Sequence, residues 1–207
     1  MSKKDIVTVE NFINEEECNK ILDYQKYLTE NDLWTTLSKE NEPRQNWTKR
    51  FCSVKTLVVD KNRFGKEKDI EIAKLCLDIR ARIKNTIINE WNLPVDIYPD
   101  SLTLVRWPSG ETQPAHADYE NFGRQPHIYN WRDIGVALYL NDDFEGGRIS
   151  FPQYNHSVEI KKGMLAFFPG DMQHAHGVKS VSNGCRHTIN VFFTFDKRHE
   201  DGDNYGI

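Results

Sequence analysis

The chain has 207 residues, of which 38% are hydrophobic, 12% aromatic and 28% charged, which fits one globular domain with a sizeable core and excludes a fibrous or low-complexity chain. A net charge of -4 gives no general attraction to phosphate backbones, so nucleic acid is not expected as a partner, and no apolar run reaches the ~20 residues of a membrane span. Met1-Ser2-Lys3-Lys4-Asp5 is followed by no long apolar stretch, which predicts no secretory signal and a cytoplasmic protein.

Ile6, Val7 and Val9 predict a short strand. Asn14 before Glu15-Glu16-Glu17 predicts a helix over about 15–30, because Asn14 caps, Glu17 stands at the capping-box position and the acidic turn suits the helix dipole. Cys18, Ile21, Leu22 and Leu28 form its expected buried face. Residues 38–50 have no period and read as a loop in which Arg44, Trp47 and Arg50 are candidates for substrate contact. Phe51 to Val59 reads as a strand, and 61–68 as a charged turn around Gly65. Ile72, Cys76, Ile79, Ile83 and Ile87 recur at helical spacing and predict an amphipathic helix over about 69–91, stopped at Leu93-Pro94 and packed on a sheet.

From residue 100 the pattern changes to short strands, expected at 101–107, 115–118, 133–140, 147–151, 157–160, 164–168, 174–180 and 186–195. This spacing argues for a β-sandwich or barrel with the helices on one outer face, an α+β arrangement. A single domain over 1–207 is expected: helices and supporting strands over 1–99, a strand-rich core over 100–195 and a tail over 196–207. In 134–140, Ile134, Val136, Leu138 and Leu140 share one face, while Gly135, Ala137 and Tyr139 leave room on the other. Further on, Arg186, Thr188 and Asn190 alternate with Ile189, Val191 and Phe193, and the polar face is expected to line a ligand cavity. The four cysteines, Cys18, Cys52, Cys76 and Cys185, contain no C-x-x-C pair and are expected as free thiols.

His116 and Asp118 are two residues apart, so on a strand their side chains point to one face, and His176 can add a third ligand from another strand. Two His and one carboxylate with open positions is the ligand set of non-heme Fe(II) oxygenases. His174 lies two residues before His176 and would share its face, so strand period leaves both open. Trp107, Tyr119, Tyr129 and Trp131 surround His116-Ala117-Asp118 in sequence, and 119–132 is a candidate lid.

Over about 100–195 the chain resembles the 2-oxoglutarate and Fe(II)-dependent oxygenases, and within them the prolyl-4-hydroxylase-like group. The matching residues are His116-Ala117-Asp118, Tyr139-Leu140-Asn141 with Phe144-Glu145-Gly146-Gly147, Phe167-Phe168-Pro169, His176-Gly177-Val178 and Gly184-Cys185-Arg186. The resemblance implies a double-stranded β-helix of jelly-roll type. It implies Fe(II) on His116, Asp118 and His176, and 2-oxoglutarate held at its far carboxylate by Arg186 and Tyr139, with Thr188 assisting. It selects His176 over His174. It further implies O2 as second cosubstrate, ascorbate as a candidate reductant, succinate and CO2 as products, and hydroxylation of a protein or peptide at prolyl residues. Arg186 stands where the collagen-type enzymes carry Lys, Trp107 where much of the family has Tyr, and Arg148 where an acidic residue is more usual. Two other readings compete: hydroxylation of a free amino acid or small molecule, and a non-catalytic cupin-like barrel. The cupin-like reading rests on the spacings Gly110 to His116 and Gly163 to Pro169 and would make His174 the later ligand. Asp118 and Arg186 favour the oxygenase. The sequence sets no oligomeric state.

Overall fold

In the computed structural model, residues 5–36, 49–121, 123, 125–202 and 205–207 are described. Most of the expected 38–50 loop, with Arg44 and Trp47, lies outside the described residues. Strand β1 (Val7–Val9) is followed by helix α1 (Glu15–Glu30), which starts as its sequence dictates. The Asn14 Oδ1 accepts from the Glu17 backbone N–H at 2.9 Å, and the Glu17 carboxylate accepts from the Asn14 N–H at 2.9 Å, so two orphan donors of the first turn are satisfied. Cys18, Ile21 and Leu28 are buried, but Leu22 is only partly so, and Tyr24 and Gln25 are buried beside them. Both polar groups have partners: the Tyr24 hydroxyl donates to Asp69 at 2.7 Å, and Gln25 Oε1 faces His187 Nδ1 at 2.6 Å.

The expected strand over 51–59 is shorter. Strand β2 covers only Phe51–Ser53, and Thr56–Val59 form the short helix α2. The Thr56 hydroxyl donates to the Ser53 carbonyl at 2.6 Å, turning the chain, and Leu57 and Val58 enter the core from a helical turn rather than a pleat. Helix α3 (Glu67–Glu90) buries Ile72, Cys76, Ile79, Ile83 and Ile87 as its period predicts. At its start Asp69 accepts from the Lys66 N–H at 2.8 Å while also receiving the Tyr24 hydroxyl, so one carboxylate caps α3 and ties it to α1. Arg82 and Glu17 pair between the same helices. None of the described helices is long and apolar enough to cross a membrane.

The remaining strands are β3 (Tyr98–Pro108), β4 (Gln113–His116), β5 (Glu120–Asn121), β6 (Gln125–Pro126), β7 (Ile134–Tyr139), β8 (Glu145–Gly146), β9 (Ile149–Phe151), β10 (His156–Ser157), β11 (Leu165–Pro169), β12 (His176–Val178), β13 (Val181–Asn183) and β14 (Cys185–Thr194). A large sheet has the order β1-β11-β7-β14-β3-β2, a smaller one β10-β9-β12-β4, and β13-β8 and β5-β6 form two-stranded pairs.

Period 2 sorts the large sheet's side chains into two cores. Ile134, Val136 and Leu138 of β7, Ile189, Val191 and Phe193 of β14, and Leu165 and Phe167 of β11 pack with α1 and α3. Their alternates, Ala137, Tyr139, Ala166, Phe168, Val105 and Trp107, pack with Ile149, Phe151 and Val178 of the smaller sheet. Helices therefore cover one face of the large sheet and the smaller sheet covers the other, with Phe151 and Phe168 meeting edge to face at 5.0 Å. The tail is tied down: Tyr205 is buried, and its hydroxyl donates to Asp201 at 2.8 Å and faces Arg80 at 3.3 Å. All four cysteines are free, and burial pushes the Cys52 and Cys76 thiols up to about 12.

Candidate metal centre

The smaller sheet places the two candidate histidines. Strands β4 and β12 pair antiparallel with His176 opposite His116, which sets their rings side by side with centroids 4.8 Å apart. Gly177, next to His176 in β12, has no room for a side chain: a Cβ there would lie 2.6 Å from the Gln113 carbonyl.

Asp118 reaches the same point by a route that strand period does not describe. The ladder ends at His116, short of the expected 115–118 strand, because the N–H groups of Asp118 and Tyr119 both go to the Gly170 carbonyl, at 2.8 and 3.3 Å. The bend carries the carboxylate over Gly135, where a Cβ would lie 2.5 Å from Asp118 Oδ2 and 2.7 Å from Phe168. Asp118 Oδ1 ends 3.9 Å from the Nε2 of His116 and 3.9 Å from the Nε2 of His176. One ligand atom from each of the three lies within 4.8 Å of the others. Metal–ligand bonds of ~2.0–2.2 Å span such a set after a small closure.

Tautomer and charge suit a cation. His116 Nδ1 faces the Pro114 carbonyl at 3.0 Å and His176 Nδ1 faces the His174 carbonyl at 3.1 Å; with both N–H groups donating there, each Nε2 presents its lone pair to the centre. Gln113 Nε2 sits 3.2 Å from His116 Nε2. Burial holds the His176 imidazole down to about 4, against the pull of its bond to the His174 carbonyl, so the ring is neutral. Burial also pushes the Asp118 carboxyl up to about 6, with His116 and then Arg132 opposing, and Asp118 Oδ2 is buried without a hydrogen-bond partner.

His174 is not in this cluster. The expected 174–180 strand is only His176–Val178; Met172–His174 form a 3-10 turn capped by Asp171. Fully buried, the His174 ring has Nδ1 2.7 Å from Asp171 Oδ1 and Nε2 3.4 Å from the Tyr154 hydroxyl. Its side chain thus braces the turn whose carbonyl orients His176, a role the two-residue spacing did not signal.

Arg186, Tyr139 and Thr188 share the inner face of the large sheet and are all buried. The Arg186 guanidinium carbon lies 5.0 Å from the Tyr139 ring centre and 5.4 Å from that of Trp107. Arg186 Nε and Nη1, the Tyr139 hydroxyl and the Trp107 Nε1 are buried donors without an acceptor. Burial raises the Tyr139 phenol, with Arg186 opposing, which keeps it a donor. The Thr188 hydroxyl is engaged, donating to Asn190 at 2.8 Å. Asn141 donates to the Cys185 carbonyl at 2.8 Å and accepts from the His187 N–H at 2.8 Å, and so fixes the backbone on both sides of Arg186.

Sequence reasoning missed the pair Arg50 and Glu111, with Nη1 and Oε2 2.7 Å apart and the Arg50 guanidinium 3.9 Å from the Trp107 ring centre. They are 61 residues apart in the chain, and no local pattern links them. Two aromatics of the 119–132 segment pack on neighbours: Trp131 stacks on His199 at 4.2 Å, and Arg132 lies 3.7 Å from the Tyr129 ring centre. Trp131 and His199 border a cleft of about 430 Å³ with Asp133, Phe195 and Arg198.

Residues 102–194 match the sequence profile of the family described as the 2OG-Fe(II) oxygenase superfamily. The chain is 35% identical over 159 residues to 2-oxoglutarate and iron-dependent oxygenase domain-containing protein 3 of Xenopus tropicalis, covering 68% of this chain and 48% of that one. It is 24% identical to human prolyl 3-hydroxylase 2, covering 94% of this chain and 30% of the relative. The chain therefore spans about half, or less, of the length of these curated relatives. Among solved structures, a viral collagen prolyl hydroxylase from Paramecium Bursaria Chlorella virus-1 superposes with a TM-score of 0.63 at 14% identity, over 94% of this chain and 98% of that one. A prolyl hydroxylase from Trichoplax adhaerens, in complex with a hypoxia inducible factor oxygen degradation domain peptide, gives 0.62 at 18% identity over 95% and 86%. These likenesses extend the shared fold to the N-terminal helices.

Proposed function

We propose, from the match of residues 102–194 to the sequence profile of the 2OG-Fe(II) oxygenase superfamily, that the chain is a 2-oxoglutarate- and Fe(II)-dependent dioxygenase that hydroxylates a protein or peptide at prolyl residues. The two-sheet core is read as a double-stranded β-helix. One observation carries the reading: among the described residues, the buried Asp118 Oδ2 has no donor, while Arg186, Tyr139 and Trp107, on the inner face of the large sheet, have buried donors that lack an acceptor. A cation answers the first deficit and an anion the second, and a metal bearing a dicarboxylic keto acid is both.

His116, Asp118 and His176 would hold the iron, the two imidazoles neutral and the carboxylate ionised by the metal's charge. Arg186 would take the far carboxylate of 2-oxoglutarate through its planar fork, and the Tyr139 hydroxyl would donate to the same group. Asn141 keeps the Arg186 backbone in register with β7, and Phe151, Phe168 and Val178 exclude water around the centre. When bound, iron with 2-oxoglutarate and O2 supplies the oxidising power for C–H hydroxylation, with succinate and CO2 released. The relatives' names favour a prolyl side chain, and the ring position, C3 or C4, is carried as two outcomes of one measurement.

The experiment incubates the purified protein with Fe(II), ascorbate, 2-oxoglutarate and proline-rich peptide pools, and follows succinate together with peptide mass. Succinate formation and a peptide product heavier by one oxygen atom are expected, with acid hydrolysis reporting 3- or 4-hydroxyproline. No 2-oxoglutarate binding and no succinate would sink the proposal, whereas product from a free amino acid alone would replace the peptide reading with the small-molecule one.

A further inference from the structure

We propose that Trp107 is a third donor of the anion pocket: its indole Nε1–H binds a carboxylate oxygen of 2-oxoglutarate beside Arg186 and Tyr139, and Arg50 holds the indole in place. This rests on the cosubstrate reading above and assigns a residue to it.

Trp107 and Arg186 stand directly opposite each other where β3 pairs with β14, so their side chains leave the same face of the sheet at neighbouring points. Both are almost fully buried, Trp107 at 3% exposure and Arg186 at 1%. The indole N–H has no acceptor, and neither do Arg186 Nε and Nη1 nor the Tyr139 hydroxyl. Trp91 and Trp131 also have a buried indole N–H without an acceptor; what sets Trp107 apart is its place beside the Arg186 guanidinium, 5.4 Å from its ring centre. An unsatisfied guanidinium flanked by two unsatisfied side chains, Trp107 and Tyr139, is explained by a single anionic acceptor. The indole is also held: the Arg50 guanidinium lies 3.9 Å from its ring centre, itself 4% exposed and paired with Glu111 at 2.7 Å. Arg50 is thus a positioning residue and Trp107 a binding one.

The test titrates 2-oxoglutarate by calorimetry into protein loaded with Mn(II), a redox-silent stand-in for iron. Loss of one hydrogen bond to a charged acceptor predicts that Trp107→Phe weakens 2-oxoglutarate roughly tenfold or more, while Mn(II) affinity is unchanged. Arg50→Gln is expected to weaken 2-oxoglutarate by a smaller factor, again at constant Mn(II) affinity. In case Trp107→Phe folds poorly, the unsubstituted protein loaded with Zn(II) gives a second readout: its Trp107 indole ¹H–¹⁵N resonance is expected to shift and to exchange more slowly when 2-oxoglutarate is added. Equal 2-oxoglutarate affinity in wild type and Trp107→Phe, or an indole resonance that ignores the ligand, overturns the assignment and leaves the oxygenase reading standing. A wild-type protein that binds no 2-oxoglutarate overturns both.

Discussion

Asp118 has one oxygen facing two imidazoles and the other without a partner, so its substitution separates charge from shape. Asp118→Asn keeps the volume and removes the negative charge; Mn(II) affinity by calorimetry is expected to fall at least 100-fold, with the melting temperature of the metal-free protein unchanged or raised. The rise would follow from removing a buried carboxyl that burial already pushes up to about 6. Gly135→Ala acts on the same carboxylate from beneath, since its Cβ would meet Asp118 Oδ2 at 2.5 Å and the Phe168 ring at 2.7 Å. It should lower both metal affinity and stability, the latter by about 1–3 kcal/mol in chemical denaturation. His174→Ala should cost about 2 kcal/mol or more of stability through the cavity and the stranded Asp171, yet weaken metal less than His176→Ala does. Equal metal loss in the two variants would mean that the brace matters as much as the residue it braces.

Among the elements, those with a strong period were legible in the sequence and those made by turns were not. The α1 capping box, the α3 isoleucine stripe and the two-faced alternation of β7 and β14 each follow from local spacing that tertiary packing only reinforces. Strand ends were misread wherever a backbone group found a partner outside the ladder, as Asp118 does at Gly170 and Met172–His174 do in their capped turn. The structure brings the three candidate residues together, but by a route the sequence did not signal: His116 and Asp118 converge through a bend, not through strand alternation. Long-range pairs such as Arg50 with Glu111 had no sequence signal at all. The α1–β14 contact also makes a pH prediction. Burial, with Arg106 adding, holds the His187 imidazole down to about 4, below the ~6.5 of an unfolded chain. The unfolded state then binds more protons as pH drops, so this group leaves stability untouched above about 6.5 and lowers it progressively toward 4. Melting curves of His187→Asn should show a shallower acid slope than wild type over that window; parallel slopes would remove His187 as the cause.

For the molecule as a whole, the metal and 2-oxoglutarate are expected to act as stabilisers, because both would bind a layer assembled from the two sheets. At 100-fold excess over its dissociation constant a ligand adds about 2.7 kcal/mol, which for a chain of this size raises the melting temperature by roughly 5–10 °C. Thermal scans with Mn(II) plus 2-oxoglutarate against a chelator check this, and coincident curves would contradict it. The order of strands in the large sheet has one more consequence, for synthesis rather than for the finished protein. Strand β14 follows every other strand in sequence yet lies between β7 and β3, so β7 and β3 cannot be bridged until residue 194 has left the ribosome. Until then a nascent chain carries two unpaired inner edges. A chain halted at Gly184 should be an aggregation-prone client of chaperones, and the pocket around Arg186 and Tyr139 does not exist before the sheet is complete.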